Sequence, residues 1–495
     1  MMHKLNILLL AAFVAVSALV GYRPAAESPG NTTLQQPNVV FIVVDDMNKF
    51  SILHNYPILK TPAIDKLASQ SYNFTHATCA VPLCAPSRAA FFGGIAPNKT
   101  GVYRNYHDIY DSSILSHTEL LPECFKRNGY LTWGGGKTFH MQVNDGRENK
   151  MFDNAPVKHG GYGPYAKKPF WYGKSGWASI KPWTGPDTDF PDVRNADAAI
   201  AFLKQTHKKP FFLYYGLFRP HTPYTAPKRF YDLYKDADIV LPPGYKAGDL
   251  DDVPPMGRAL VDSMKQYFKQ GMSKKEVWLA MLKGYLANTS FADWDMGRVI
   301  AALDQSSYAK NTIVIFCSDN GFHLGTKDHW TKKTLWEQAD MVPLLIRLPG
   351  GKAYRCDQTV SLLDIFPTLV DYCHLNPPPH TLDGHSLVPI FRDPKTQWNH
   401  PGFTTWGVQY SSVRSERYRY IRYPDGSREL YDHFKDPYEW INLAGDPKMK
   451  PVIEGLTGAI PSTFTKSINP DHFKKRGKKR KGRPVTEQQR KRKGR

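Results

Sequence analysis

The sequence predicts an α/β fold: a mixed, mostly parallel sheet sandwiched by helices, with a smaller antiparallel sheet near the C-terminus. Three observations predict it. Residues 39–44 and 313–316 are apolar at consecutive positions, as strands buried on both faces are. Helical patterns alternate with such runs along the chain. Past residue 395 the pattern changes to short β segments separated by turn residues.

The elements follow in order. Residues 38–44 form a buried strand that ends abruptly in Asp45 and Asp46. Thr61-Pro62 opens a helix with Ile64, Leu67 and Ala68 at helical spacing. Cys84 to Arg88, followed by Ala89-Ala90-Phe91-Phe92, marks a helix start. Residues 120–128 form a short helix stopped by Gly129. Residues 196–204 form another, and residues 210–215 the strand after it. A long helix spans 275–303, and the strand at 312–316 leads into Ser318-Asp319-Asn320-Gly321. Residues 145–192, rich in Gly, Pro, Trp and Tyr, form an irregular insertion near a binding face. Residues 415–423 are a strand closed by the turn Pro424-Asp425-Gly426.

Length and ends set the organisation. The chain has 495 residues, with 41% hydrophobic and 22% charged. That excludes collagen-like, wholly disordered and polytopic membrane proteins. Residues 7–20 are apolar or small, follow one Lys, and precede Ala25-Ala26. This is the layout of a cleaved signal peptide, and the run is shorter than the ~20 residues a spanning helix needs. We therefore expect a signal peptide at 1–26, a catalytic domain at 27–395, an antiparallel-sheet subdomain at 396–465 and a disordered basic tail at 466–495. The product is exported, periplasmic or secreted, with no integral membrane segment after cleavage.

The charge is lopsided. From Lys474 onward there are thirteen basic residues and one acid, Glu487, so this stretch carries +12 of the chain's +20. The balance suggests a polyanionic partner: nucleic acid, an anionic membrane or a sulfated or phosphorylated polymer. The six cysteines, at 79, 84, 124, 317, 356 and 373, are too few for a disulfide scaffold and contain no C-x-x-C pair.

Both apolar strands lead into oxygen-bearing side chains. In open α/β sheets, ligands sit beyond the carboxyl ends of strands, so Asp45, Asp46, Asp319 and Asn320 are placed to converge. Three carboxylates and an amide oxygen suit Ca²⁺ or Mg²⁺ rather than zinc. Cys84 at a helix start, four residues before Arg88, is a nucleophile candidate. Gly134-Gly135-Gly136-Lys137 imitates a phosphate loop, but the Walker pattern needs Gly at position 131, which is Leu131. Lys137 and His140 are three apart and can reach one point, as charge clamp and acid/base. His221 follows a strand, and Lys332 lies twelve residues after Asn320. Singly, each of these is more often a surface or turn residue.

Together these residues resemble the type I sulfatases of the alkaline-phosphatase superfamily. The signature C-x-P-S-R stands at Cys84-Ala85-Pro86-Ser87-Arg88, with Gly94 ten residues after the Cys. Gly93 stands where a Thr often precedes that Gly. Val43 to Asp46, Gly136-Lys137-x-x-His140, Pro220-His221, Ser318 to Gly321 and Lys332-x-x-x-Trp336-Glu337 fall in family order. Glu429 to Asp432, Asp436-Pro437-x-Glu439 and Asn442-Leu443 are similar to the family's C-terminal part. The resemblance spans about residues 37–447 and is nearest to iduronate-2-sulfatase-like enzymes, through Phe125-Lys126-x-Asn128-Gly129-Tyr130 and Gly136-Lys137-x-Phe139-His140.

The resemblance implies an alkaline-phosphatase-like fold and residue roles. Cys84 is converted to formylglycine by a separate maturation enzyme and stays out of disulfides. Asp45, Asp46, Asp319 and Asn320, with the converted Cys84, hold the metal, Ca²⁺ before Mg²⁺. Arg88 supports the hydrated aldehyde, Lys137 and Lys332 hold sulfate oxygens, His221 is the general acid, and His140 helps expel sulfate. The expected substrate is a sulfated carbohydrate, ahead of any specific nucleic acid. Two alternatives stand: a phosphoesterase or phosphonate hydrolase of the same superfamily, and a non-catalytic polyanion binder. Arg104, His107, Arg219 and His323 are candidates for reading the sugar.

Overall fold

Asn38–Asp45 forms strand β1, buried at every residue. Its alternate side chains serve two layers. Val39, Phe41 and Val43 pack with residues of α2 (Cys84–Gly93), α3 (Leu121–Arg127) and α6 (Ile365–Tyr372). Val40, Ile42 and Val44 pack with residues of α1 (Pro62–Ala68), α4 (Pro191–Leu203) and α5 (Lys274–Asp304). Helices thus cover both faces, which is why the run is apolar without alternation. Each fully buried Val, Ile or Phe contributes roughly 1.5–3 kcal/mol of transfer free energy.

The computed structural model describes residues 36–468 except 50–55, 106–107, 141–146, 156–159, 166–169, 172–178 and 264–272. The expected signal peptide, the basic tail beyond Ile468, His107 and much of the 145–192 insertion lie outside the described residues. Among the described residues, no helix is long and apolar enough to cross a membrane.

The central sheet has eight strands. β2 is Tyr72–Thr78, β3 Leu131–Gly136, β4 Phe211–Pro220, β5 Thr312–Ser318, β6 Met341–Val342, β7 Leu344–Arg347 and β8 Tyr354–Ser361. The order is β6-β2-β7-β5-β1-β4-β3, with β8 pairing β2. β3, β4, β1 and β5 are mutually parallel, while β7 runs antiparallel to both β5 and β2. Register aligns their carboxyl ends: Gly136 faces Gly216, Asp45 faces Pro220, and Val44 faces Ser318. Residues following these four strands therefore emerge on one edge.

Local sequence sets the helix starts. Ser273 accepts a hydrogen bond from the Glu276 N–H, and Glu276 answers on the Ser273 N–H, opening α5 one residue before the expected position. α4 starts five residues before its expected start because Pro191 takes its first position. Gly93 ends α2 where a Cβ would lie 3.0 Å from Leu115 Cδ2, so a larger residue requires that side chain to shift.

Strands β9 (Gly402–Gly407), β10 (Tyr410–Arg414), β11 (Tyr418–Arg422) and β12 (Arg428–Asp432) form the antiparallel sheet in sequential order. The turn after β11 is the expected one: Gly426 has φ 85°, and Asp425 accepts from the Ser427 N–H and hydroxyl. Buried charges clamp this sheet to the main one. Arg419 donates to Glu337 (2.5 Å) and Asp340 (2.6 Å) and pairs with Glu439 (2.7 Å); Arg414 also meets Glu337 (3.1 Å).

Candidate active site

The four parallel strands deliver the chemistry. β1 ends in Asp45 and Asp46, and Asp46 takes φ 68°, a left-handed turn that redirects the chain at the strand end. β5 is followed by Asp319 and Asn320, β4 by His221, and β3 by Lys137 and His140. The β3 glycines serve close approach rather than a phosphate loop. A Cβ on Gly136, at φ 80°, would lie 1.9 Å from the Gly216 carbonyl, and one on Gly216 would lie 1.9 Å from that of Lys137.

Cys84 sits at the first turn of α2, fully buried. Its Sγ lies 3.2 Å from Asp45 Oδ1 and 3.9 Å from Asp46 Oδ1, and Lys332 Nζ donates to it at 3.0 Å. Arg88, one turn on, donates from Nε to Asp319 at 2.7 Å and from Nη1 to the Lys137 carbonyl and the Tyr214 hydroxyl. Lys137 pairs with Asp45 and Lys332 with Asp46. Three carboxylates thus face three cations, all buried.

Burial raises both aspartates, and neighbours decide the outcome. Lys137, with His221, Lys332 and Arg88, holds Asp45 well below the usual carboxylate range. Asp46 is pushed up to about 6 by burial and by Asp45 and Asp319, against Lys332. Burial and Asp45 push the Cys84 thiol up to about 12, against Lys137 and Lys332. Burial first, then Lys137, brings His140 down to about 3, and His221 also falls well below its ordinary value through burial. The Thr222 carbonyl, 2.6 Å from His221 Nδ1, fixes the proton there, so Nε2 faces Asp46 at 3.7 Å as a lone pair.

The residues fit a hard divalent cation. Asp45, Asp46, Asp319 and Cys84 place ligand atoms within 4.8 Å of one another. Asn320 Oδ1 is buried with no hydrogen-bond partner, an orphan acceptor that a cation would satisfy. A second cluster, Glu337, His433 and Glu439, has ligand-type atoms but is already compensated by Arg414, Arg419 and Lys49.

A cleft of about 370 Å³ opens above the site, lined among others by Asp46, His140, His221 and Lys332. Arg104 lines it too. Arg219 and His323 are not among its lining residues. Arg219 is buried against Asp192 and the Thr225 carbonyl, and His323 is buried between Thr326 and Thr334. Strand-end and loop positions looked exposed in sequence, but packing turned both inward.

Some contributors carried no sequence signal. Tyr214 lies inside an apolar strand yet holds Arg88 and the Lys137 carbonyl. Asn105 accepts from the Ala85 N–H at 2.9 Å, next to Cys84. His329 accepts from the Asp262 N–H (2.7 Å) and donates to the Lys332 carbonyl (2.9 Å), bracing that lysine. Thr331 and Lys333 have φ 117° and 83°, so strained backbone flanks Lys332 on both sides. All six cysteines are free and buried.

The sulfatase family profile matches residues 37–375. The chain belongs to the sulfatase family. A second profile, for the C-terminal region of N-sulphoglucosamine sulphohydrolase, matches residues 325–465 of this sulfatase. It is 37% identical over 450 residues to a sulfatase of Formosa agariphila, covering 87% of each chain. It is 27% identical over 512 residues to iduronate 2-sulfatase of Homo sapiens, covering 90% of this chain and 88% of that one. The expected likeness to iduronate-2-sulfatase-like enzymes is borne out. A phosphonate monoester hydrolase from Silicibacter pomeroyi shares the fold, with TM-score 0.69 and 21% identity over 86% of this chain and 94% of that one.

Proposed function

We propose that this sulfatase is exported and hydrolyses sulfate esters of a sulfated carbohydrate, with Cys84 matured to formylglycine and a bound divalent metal, Ca²⁺ by its hard oxygen ligands. The observation that carries this reading is Cys84 buried between Asp45, Asp46 and Lys332. A thiol pushed up to about 12 is not a nucleophile at neutral pH, so it serves poorly unmodified. Oxidation by the maturation enzyme would give an aldehyde, and addition of water to it a geminal diol, whose second hydroxyl gives an elimination route that a sulfated thiol or alcohol lacks. A cation held by Asp45, Asp46, Asp319 and Asn320 supplies Lewis acidity and lowers the nucleophile's pKa.

The chain's own side chains do the rest. Arg88, fixed by Asp319 and Tyr214, orients the nucleophile. Lys137 and Lys332, paired here with Asp45 and Asp46, would hold sulfate oxygens as charge builds. His221 would take a proton from solvent at Nε2 as the anionic ester binds and pass it to the leaving oxygen. His140, beside it at 6.4 Å between ring centres, assists sulfate expulsion. The iduronate relative and the aromatic residues Tyr224, Phe322 and Trp330 in the cleft lining support a sugar substrate. The 14-residue apolar run supports export.

The phosphonate hydrolase neighbour supports a second reading, since fold does not decide ester class. Turnover of aryl sulfate against aryl phosphate separates them, and preference for phosphate overturns ours. Mass spectrometry of the Cys84 peptide from the native host is expected to show the aldehyde. An unmodified thiol in fully active protein would refute the mechanism.

A further inference from the structure

We propose that Arg104 and Lys333 form a second anion site in the cleft, so the preferred substrate carries a further carboxylate or sulfate near the ester that is cut. This deepens, and rests on, the sulfatase reading of the same cleft.

Both residues are tied to the nucleophile by their neighbours. Asn105, next to Arg104, accepts from the Ala85 N–H, and Lys332, next to Lys333, donates to Cys84 Sγ at 3.0 Å. Both line the same cleft. The Arg104 guanidinium is held in a set plane. Its carbon lies 4.0 Å from the centre of the Trp406 ring, and Nη1 donates to the Trp406 carbonyl at 2.6 Å and the Tyr103 carbonyl at 3.1 Å. A planar fork fixed in this way suits the oxygens of a carboxylate or sulfate, and little freedom is lost on binding. Lys333 is exposed and sits at φ 83°, a conformation that a Lys adopts only under constraint.

The cleft's charge points the same way. Among the described residues, its lining includes Arg104, Lys332 and Lys333 and one carboxylate, Asp46. Lys332 and Lys137 serve the ester sulfate in our reading. Arg104 and Lys333 are then surplus to a monosulfated neutral sugar and matched to a second anionic group. A carboxylate and a second sulfate share the oxyanion chemistry, and the assay tells them apart.

The test uses the matured full-length enzyme, Arg104→Ala, Arg104→Lys and Lys333→Ala, each checked for an unchanged thermal midpoint. Substrates are 4-nitrophenyl sulfate, a monosulfated neutral disaccharide, a sulfated uronate-containing disaccharide and a disulfated disaccharide. Each Ala variant is expected to raise KM for the doubly anionic sugars by on the order of ten- to a hundredfold more than for 4-nitrophenyl sulfate, with kcat moving little. Whichever doubly anionic sugar shows the larger effect identifies the group. Arg104→Lys recovers part of the loss by keeping charge without the fork. Equal losses on all substrates, or a wild-type preference for the neutral sugar, overturn the proposal. Should wild type cleave no sulfate ester, the sulfatase reading falls. Titration of the disulfated disaccharide into wild type and the Ala variants still decides the second site: tenfold weaker binding supports it, and equal binding overturns it.

Discussion

Replacing Lys332 by Ala tests whether the lysines of the site compensate the carboxylates that a metal would otherwise neutralise. Lys332 and Asp46 side chains are 5% and 3% exposed. Removing one partner of a buried ion pair costs about 3–5 kcal/mol because the other charge is left uncompensated. Two features put this case at the low end. Asn320 still donates to Asp46 at 2.8 Å, and burial already lifts Asp46 to about 6, so without Lys332 it takes up a proton at neutral pH. We expect about 3 kcal/mol in chelator. A fold of roughly 400 residues has an unfolding entropy near 0.8 kcal/mol per degree, so the midpoint falls by about 4 °C. Calcium should restore most of that loss, since the ion takes over the compensation of Asp46, and the variant should bind calcium more tightly than wild type. Thermal unfolding of both proteins, in EDTA and in a calcium series, measures the cycle. An equal deficit with and without calcium would refute the idea that lysine and metal share these carboxylates.

Two further outcomes follow from the structure. Burial brings His329 down to about 4, opposed by its bond to the Lys332 carbonyl. Its folded pKa therefore lies below the unfolded value of about 6.5. The stability it contributes is complete above pH 6.5 and is lost as pH falls toward 4, up to about 3 kcal/mol. In urea unfolding, the gap between wild type and His329→Gln should narrow between pH 7.5 and pH 4.5; a constant gap removes His329 from the acid sensitivity. Deleting residues 474–495 removes +12 of charge. The truncated enzyme is expected to keep its turnover of a small aryl sulfate and to lose affinity for a sulfated polymer in a salt-dependent way, by binding at two ionic strengths. Loss of small-substrate turnover would place chemistry in the tail.

Much of this protein was legible in its sequence because the signals are local. Short runs of consecutive apolar, mostly β-branched residues fit strands covered on both faces, and Asp45, Asp46, Asp319 and Asn320 follow two of them. Parallel pairing brings the ends of such strands to one edge, so the oxygen cluster follows from topology alone. The Cys84 motif and its spacing to Arg88 were equally plain. The β3 glycines were legible as an anomaly, but their cause, a backbone contact with Gly216, needed the neighbouring strand.

Only tertiary structure decided which exposed-looking polar residues turn inward. Arg219 and His323 were candidates on the same grounds as Arg104, yet Asp192 and two threonines hold them in the interior. Arg104 reaches the cleft because Trp406, 302 positions away, supplies the ring and carbonyl that plane it. Glu337 lies five residues past Lys332, but its role is set by Arg414 and Arg419 of the C-terminal sheet. The sequence by itself determined the layers, the strand-end carboxylates and the Cys84 motif, because short-range periodicity and spacing encode them. Partner choice among buried charges depends on contacts between segments hundreds of residues apart, and no local pattern records those.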